Sequence, residues 1–193
     1  TTVADNGIDF NNVLEEEPIT ADIEGEKNYN IGLQVGQFTF ELYQALKDKD
    51  GKINAVGEPV LTTQNAADGS FKFEEYTGAS ENPITSFITF SEAGTYYFVV
   101  KEQLPEGVTE GNKTLEGITY DTNAYVITVA VSEGTDETGR AILLADVLVD
   151  GEANGDITFE NKYNASAEKG VVISGEKTLN GKTLTDNEFT FEL

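Results

Sequence analysis

Alternation of apolar and polar residues at every second position is the feature that most constrains the fold of this chain. Successive side chains of a β-strand point to opposite faces, so this pattern produces strands with one buried and one solvated face. Residues 157–163 read Ile-Thr-Phe-Glu-Asn-Lys-Tyr, with apolar residues at nearly every odd position. No segment has a convincing 3.6-residue period, so the pattern predicts an all-β protein.

Glycine-containing turn signals separate these runs and predict the type of β-fold. Short strands joined by such turns are typical of an immunoglobulin-like β-sandwich. The strand-like runs cover residues 38–46, 86–90, 95–104, 122–132, 141–150 and 156–163. The turn signals are Asp50-Gly51, Asp68-Gly69, Gly94, Gly134 and Gly151.

Three polar residues occupy positions where the alternation predicts the buried face. Lys27 shares its face with Ile23, Gly25, Tyr29 and Ile31, while the intervening residues are Glu and Asn. Glu102 follows the alternating apolar residues of the run from position 96, and Asn161 follows those of the run from position 157. An amine, a carboxylic acid and a carboxamide are therefore expected in one hydrophobic core.

Burial of an unpaired Lys or Glu costs several kcal/mol, so these residues are expected to be paired or neutral. Desolvation lowers a Lys pKa and raises a Glu pKa, which leaves a nucleophilic amine beside a carboxylic acid. Lys27 can then attack the carboxamide carbon of Asn161, while Glu102 donates to its oxygen and passes a proton to the departing ammonia. The alternative is a buried Lys27–Glu102 ion pair with Asn161 as a hydrogen-bonding neighbour, and the pattern alone leaves both open.

Composition excludes several classes of function. A formal net charge of −23 and a single arginine, Arg140, argue against binding to nucleic acid or to anionic membranes. The absence of His and Cys removes the commonest zinc ligands, thiol nucleophiles and disulfides. No cofactor or metal site is predicted. The chain has no signal peptide, membrane-length apolar run or lipidation motif, which suggests that such segments were trimmed or that the chain is a fragment.

Internal similarity predicts a tandem repeat. Gly25-Glu26-Lys27 recurs as Gly175-Glu176-Lys177, an offset of 175 − 25 = 150, and the pentapeptide at 38–42 recurs at 189–193, an offset of 189 − 38 = 151. A weaker echo relates residues 8–12 to 157–161, an offset of 157 − 8 = 149. These offsets predict a last-strand remnant or linker at 1–20, a complete sandwich at 21–165, and the first strands of another repeat at 166–193.

The repeat makes Lys177 and Asn12 the counterparts of Lys27 and Asn161 in adjacent repeats. The terminal segments 1–20 and 166–193, called the overhangs below, carry no counterpart of the strand that contains Glu102. Lys177 and Asn12 are therefore expected to remain unlinked in this chain. Because single strands leave backbone groups unpaired, the two overhangs are expected to pair with each other or with a neighbouring chain.

Several motifs in the central segment resemble the streptococcal pilin isopeptide-linkage domain. These are a lysine strand ahead of Phe-Thr-Phe-Glu-Leu, Gly-Thr-Tyr-Tyr-Phe-Val-Val-Lys-Glu at 94–102, Gly-Ile-Thr-Tyr-Asp at 117–121, Tyr-Val-Ile-Thr-Val at 125–129, and Ile-Thr-Phe-Glu-Asn-Lys-Tyr at 157–163. That domain is a CnaB-like, immunoglobulin-like module of Gram-positive pilins and surface adhesins. The resemblance implies an autocatalytic bond between Lys27 and Asn161 with Glu102 as its catalyst.

The resemblance also implies a function, a location and partners. It implies a structural subunit or stalk repeat of a Gram-positive cell-surface fibre, whose partners are neighbouring repeats or pilin subunits and, where it is anchored, a sortase. A sorting signal and a Tyr-Pro-Lys pilin segment are both missing. The alternative is an adhesin domain that binds a host or glycan ligand through residues 62–70 or 104–117, although neither loop has an aromatic platform.

Other candidate sites carry weaker signals. Residues 48–53 resemble the middle of a calcium-binding EF-hand loop, but Leu46 and Gly57 occupy the outer ligand positions, so a hairpin turn is the better interpretation. Asp146 is a possible second buried acid, although its strand is apolar on both faces. A conventional hydrolase is disfavoured because there is no His and no Gly-x-Ser-x-Gly motif.

Overall fold

The computed structural model describes residues 17–74, 88–164, 175–183, 185 and 188–190. Regular structure in these residues consists of fourteen strands and no helix, so none of the described residues forms a helix able to span a membrane. The strands are β1 (Ile19–Thr20), β2 (Ile23–Tyr29), β3 (Thr39–Lys47), β4 (Ile53–Ala55), β5 (Leu61–Gln64), β6 (Ser70–Phe73), β7 (Thr89–Phe90), β8 (Gly94–Glu102), β9 (Thr114–Leu115), β10 (Ile118–Thr119), β11 (Ala124–Thr135), β12 (Ala141–Val149), β13 (Glu152–Ala153) and β14 (Thr158–Tyr163).

Two main sheets form a β-sandwich, which confirms the predicted all-β, immunoglobulin-like (CnaB-type) class. One sheet has the order β6-β2-β14-β10-β9. The other has the order β13-β12-β11-β8-β3-β4, with β5 also paired to β3. The short strands β1 and β7 pair separately, through Ile19 with Phe90 and Thr20 with Thr89. Every strand pair in the described part of the chain is antiparallel except that of β2 with β14.

The parallel pairing of β2 with β14 places the first and last strands of the main sheets side by side. Lys27 lies opposite Phe159, and Tyr29 lies opposite Asn161. Gly25 permits the strands to approach, because a Cβ at this position would lie 2.5 Å from the backbone oxygen of Ile157 and 2.5 Å from the ring of Phe71. A larger residue at position 25 would therefore displace β2.

The hydrophobic core lies between the two main sheets and is rich in phenylalanine. The rings of Phe40 and Phe71 stack with their centroids 3.9 Å apart, and those of Phe40 and Phe159 stack at 5.3 Å. These three residues come from β3, β6 and β14, so the aromatic contacts join both sheets. Aromatic pairs of this kind each contribute about 1 kcal/mol beyond their buried area.

Two details of the predicted strand pattern are wrong. Gly134 lies inside β11, and the turn to β12 follows at Asp136, whose carboxylate accepts backbone N–H groups from Thr138 and Arg140. The strand that begins at Ile23 ends at Tyr29, so Ile31 is 61% exposed and does not share the buried face of Lys27. Pairing with β12, in which Gly134 lies opposite Ile142, continues β11 through the glycine.

The overhangs are described only in part. The echo at residues 8–12 and the start of the trailing segment at 171–174 lie outside the described residues. Residues 175–183 contain a turn at Asn180-Gly181 and no assigned strand. The tandem repeat and its domain boundaries therefore remain predictions.

Candidate functional site

Lys27 points from β2 into the core, as the alternation predicts. The residue is 1% exposed, and its Nζ lies 2.6 Å from Oε2 of Glu102. The same nitrogen lies 4.6 Å from the centroid of the Phe38 ring. The amine is thus surrounded by a carboxyl group and an aromatic face, with no access to bulk water.

Glu102 is the last residue of β8 and pairs with Phe40 of β3. Both strands belong to the sheet that faces the strand of Lys27. It is 4% exposed, and both of its carboxyl oxygens have partners. Oε2 contacts the amine of Lys27, and Oε1 accepts a hydrogen bond of 2.6 Å from Nδ2 of Asn161. One carboxyl group therefore bridges the amine and the carboxamide.

Asn161 lies on β14 with no solvent exposure. Its Oδ1 accepts a 2.7 Å hydrogen bond from the backbone N–H of Asp121. An N–H group can only donate, so this contact requires the carboxamide oxygen to face Asp121 and the nitrogen to face Glu102. The carboxyl group of Glu102 thus lies at the carboxamide nitrogen of Asn161, whereas the sequence analysis expects it to act on the carboxamide oxygen.

Burial favours the neutral form of both ionisable groups of the site, Lys27 and Glu102. Desolvation lowers the pKa of Lys27, although the nearby Glu102 opposes this shift. Desolvation also raises the pKa of Glu102, and Lys27 opposes that shift in turn. Burial thus moves the two pKa values toward each other, which is the direction that transfer of a proton from the ammonium to the carboxylate requires.

The other candidate acid is not at the site. Asp146 is an exposed residue of β12 and lies opposite Ala130 of β11. The buried polar or charged residues in the described part of the chain are Lys27, Asn65, Glu102 and Asn161. Glu102 is consequently the single buried acid among the described residues.

Two residues that the sequence analysis missed support the site. Asn65 is 1% exposed, and its Oδ1 accepts a 2.8 Å hydrogen bond from the backbone N–H of Phe38, which holds the ring that contacts Lys27. Asp121 contacts Asn161 as described above. Both residues lie in connections between strands, where alternation carries no information about which side chains face the core.

The EF-hand-like segment forms the turn between β3 and β4. The carboxylate of Asp48 accepts hydrogen bonds from the backbone N–H groups of Asp50 and Lys52, both at 2.9 Å. Its other oxygen accepts one from Asn54. This carboxylate stabilises a hairpin turn, and no cluster of three potential metal-ligating side chains occurs among the described residues.

Lys177 makes a contact that resembles that of Lys27. Its Nζ lies 5.0 Å from the centroid of the Phe189 ring. The two lysines are 177 − 27 = 150 residues apart, and Phe38 and Phe189 are 189 − 38 = 151 residues apart. Asn12 lies outside the described residues, so a second cross-link remains a prediction.

Three solved structures provide comparisons with this fold. The major pilin from Streptococcus pyogenes is 18% identical and has a TM-score of 0.42, with 75% of this chain and 51% of that chain covered. A mutant of that pilin gives a TM-score of 0.43 with the same identity and coverage. The major pilin protein (T3.2) of another Streptococcus pyogenes serotype gives 18% identity and a TM-score of 0.38, with 75% and 52% covered. This chain thus spans about half the length of these pilins.

A search of curated proteins finds no match. A family model, in contrast, matches the whole region from β2 to β14. The model of the Spy0128-like isopeptide containing domain matches residues 23–164, which include Lys27, Glu102 and Asn161. The chain belongs to the family of Spy0128-like isopeptide containing domains.

Proposed function

We propose that this chain is a structural module of a Gram-positive cell-surface pilus or adhesin stalk, stabilised by a self-formed isopeptide bond between Lys27 and Asn161. The observation that carries the proposal is the buried carboxyl group of Glu102, which contacts both the amine and the carboxamide nitrogen at 2.6 Å. Membership of an isopeptide-containing family supports it. Neighbouring modules or subunits of the fibre are its partners.

The reaction joins the Lys27 amine to the Asn161 carboxamide and releases ammonia. Nζ attacks Cγ of Asn161, a C–N bond forms, and the electron pair of the C=O bond moves onto Oδ1. Oε2 of Glu102 takes a proton from the attacking nitrogen, and Oε1 supplies one to Nδ2, which becomes basic once the amide resonance is lost. The C–Nδ2 bond then breaks, ammonia departs, and Glu102 regains its initial protonation state. The chemistry occurs once for each molecule.

The cross-link stabilises the fold by restricting the unfolded chain. It closes a loop of 161 − 27 = 134 residues. The chain-entropy relation for disulfides, applied to a loop of this length, gives a stabilisation of about 5 kcal/mol. This is comparable with the whole free energy of unfolding of an ordinary domain, and the chain has no cysteine that would supply a disulfide in its place.

The strand arrangement favours a load-bearing role. Since β2 and β14 are parallel neighbours, the chain enters at one end of this strand pair and leaves at the other. A pulling force on the two ends would slide the strands past each other and break their hydrogen bonds together. A covalent bond between them transmits the force directly, so the residues between positions 27 and 161 stay folded under tension.

Intact mass spectrometry tests the proposed bond. We expect the mass to fall below the sequence mass by one ammonia, and tryptic digestion to release a branched peptide that joins the segments containing Lys27 and Asn161. Asn161→Ala, which lacks the carboxamide, serves as the control and should have its full mass. An unmodified mass for the folded wild-type chain would contradict the proposal.

A further inference from the structure

We propose that Asp121 prepares the carboxamide of Asn161 for reaction, with its backbone N–H binding the oxygen that becomes negative and its carboxylate positioning β14. This inference rests on the proposed function, because it assigns a role in the same bond-forming reaction. It separates the residue that stabilises the developing oxyanion from Glu102, which moves the proton.

The first observation is the contact with the reacting group. The backbone N–H of Asp121 donates to Oδ1 of Asn161 at 2.7 Å, and the acceptor side chain has no solvent exposure. Attack by Lys27 places negative charge on this oxygen. A fixed N–H donor at an oxygen shielded from solvent stabilises that charge more than it stabilises the neutral carboxamide, which is the requirement for catalysis.

The second observation is that the carboxylate of Asp121 holds the strand that carries Asn161. Its Oδ2 accepts a 2.9 Å hydrogen bond from the backbone N–H of Glu160, the residue before Asn161 on β14. Its Oδ1 accepts another from the backbone N–H of Asn123, also at 2.9 Å. One side chain thus ties the connection at 120–123 to the backbone of β14.

The location of this connection explains why these contacts matter for the reaction. The ladder between β10 and β14 ends at the pair of Thr119 with Lys162, and the chain then crosses to β11, which pairs with β8. Residues 120–123 therefore link the sheet that carries Lys27 and Asn161 to the sheet that carries Glu102. By fixing this crossing, Asp121 sets the position of the carboxamide relative to the catalytic carboxyl group.

The negative charge of Asp121 should affect the pH dependence of bond formation, which a purely structural role would leave unchanged. Its negative charge raises the pKa of both Lys27 and Glu102, while the neighbouring Glu160 also acts on Lys27. Removing only the charge of Asp121 lowers both of these pKa values. The reactive pair, which carries one proton in total, would then exist over a pH range shifted toward acid.

The experiment measures the rate of bond formation from an unlinked start. Full-length chain is made with a photocaged lysine at position 27, uncaged in denaturant, and refolded by dilution at a series of pH values. Quenched samples are analysed by intact mass for the loss of ammonia, and circular dichroism follows folding in parallel. Wild-type chain that refolds but never loses ammonia would refute the proposed function itself, independently of Asp121.

Three changes at position 121 separate its contributions. A backbone ester at residue 121 retains the carboxylate and removes only the N–H donor, and we expect bond formation to slow by about one hundredfold. Asp121→Ala retains the donor and removes both anchoring contacts, and we expect a slowing of about tenfold or more. Asp121→Asn should react faster than Asp121→Ala, because it keeps one acceptor, and its optimum should shift to lower pH.

The matched control is Asp136→Ala in the turn between β11 and β12. Asp136 also accepts hydrogen bonds from two backbone N–H groups, those of Thr138 and Arg140, but has no contact with the site. The Asp136→Ala variant should form the bond at the wild-type rate. If Asp121→Ala does not fold, the ester variant still tests the donor. Wild-type rates in both the ester and Asp121→Asn, with an unshifted pH profile, would overturn the inference.

Discussion

Lys27 and Phe159 lie directly opposite each other on the parallel strands β2 and β14. Because side chains two residues apart share a face, this register places Asn161 on the buried face that also carries Lys27. A shift by one residue would turn either side chain toward solvent. The proposed cross-link therefore depends on the register of the strand pair as much as on the identity of its residues.

Replacement of the proposed catalytic acid should block the bond and preserve the fold. Glu102→Gln keeps a side chain of similar shape but cannot accept and return a proton, so we expect full sequence mass together with a β-rich circular dichroism spectrum. The matched change Glu133→Gln alters an exposed residue of β11 and should leave the loss of ammonia intact. Ammonia loss at the wild-type rate in Glu102→Gln would assign the proton transfer to another group.

Loss of the reactive carboxamide should reduce both thermal and mechanical stability. Asn161→Ala removes the proposed bond, and we expect the free energy of unfolding to fall by about 5 kcal/mol from loop entropy alone. In single-molecule pulling from the two ends, the variant should release the length of the enclosed residues, whereas wild-type chain should not. Asn164→Ala, at an exposed position just after β14, should extend as wild type does. Equal extension of wild type and Asn161→Ala would contradict the load-bearing role.

Removal of Lys27 should make the free energy of unfolding depend on pH through the titration of Glu102. In Lys27→Met the pKa of Glu102 stays raised by burial, because the cation that opposed the shift is gone. A raised pKa in the folded state means that this group's contribution to stability is fully present below its ordinary pKa of 4.5 and is lost as the pH rises toward the folded value.

The measurement compares this variant with Lys27→Met/Glu102→Gln, which lacks the titrating group. Chemical denaturation at several pH values should show the free energy of unfolding of the single variant falling relative to the double variant by about 1.4 kcal/mol per pH unit between 4.5 and the raised pKa of Glu102, and levelling off above it. Parallel pH profiles for the two proteins would show that Glu102 titrates in the folded state as it does in the unfolded chain.

Enlargement of Gly25 should disturb the strand pair that positions the lysine. A Cβ at this position meets the backbone oxygen of Ile157 at 2.5 Å, and backbone atoms cannot move aside as a flexible side chain can. We expect Gly25→Ala to destabilise the chain by about 1–3 kcal/mol and to slow ammonia loss. Gly111→Ala, where a Cβ has no neighbour within 4 Å, is the control. A bond formed at the wild-type rate in Gly25→Ala would show that the close approach is unnecessary.

The second lysine of the repeat should remain free in this chain. Lys177 has the aromatic contact of its counterpart, but among the described residues it has no ion pair with an acid. We expect amine-reactive labelling followed by digestion to modify Lys177 and to leave Lys27 unmodified. Discovery of a branched peptide containing Lys177 would show that an acid outside the described residues serves it.

Much of the site could be predicted because alternation is a local property. A strand's period of two assigns each residue to a face before any partner is known, so a polar residue on the apolar face stands out. Alternation predicts burial for Lys27, Glu102 and Asn161, and all three are buried. It gives no clear prediction for Asp146, because the strand of Asp146 is apolar on both faces, and packing leaves this side chain exposed.

By itself, the sequence determined the strand class, the buried faces and the three polar residues that lie on them, because these follow from residue type and local periodicity. The tertiary structure alone decided that β2 and β14 are parallel neighbours and that the carboxamide oxygen of Asn161 faces Asp121. Strand pairing and the crossing at residues 120–123 join segments far apart in sequence. Their geometry depends on the packing of two whole sheets, which no local pattern encodes.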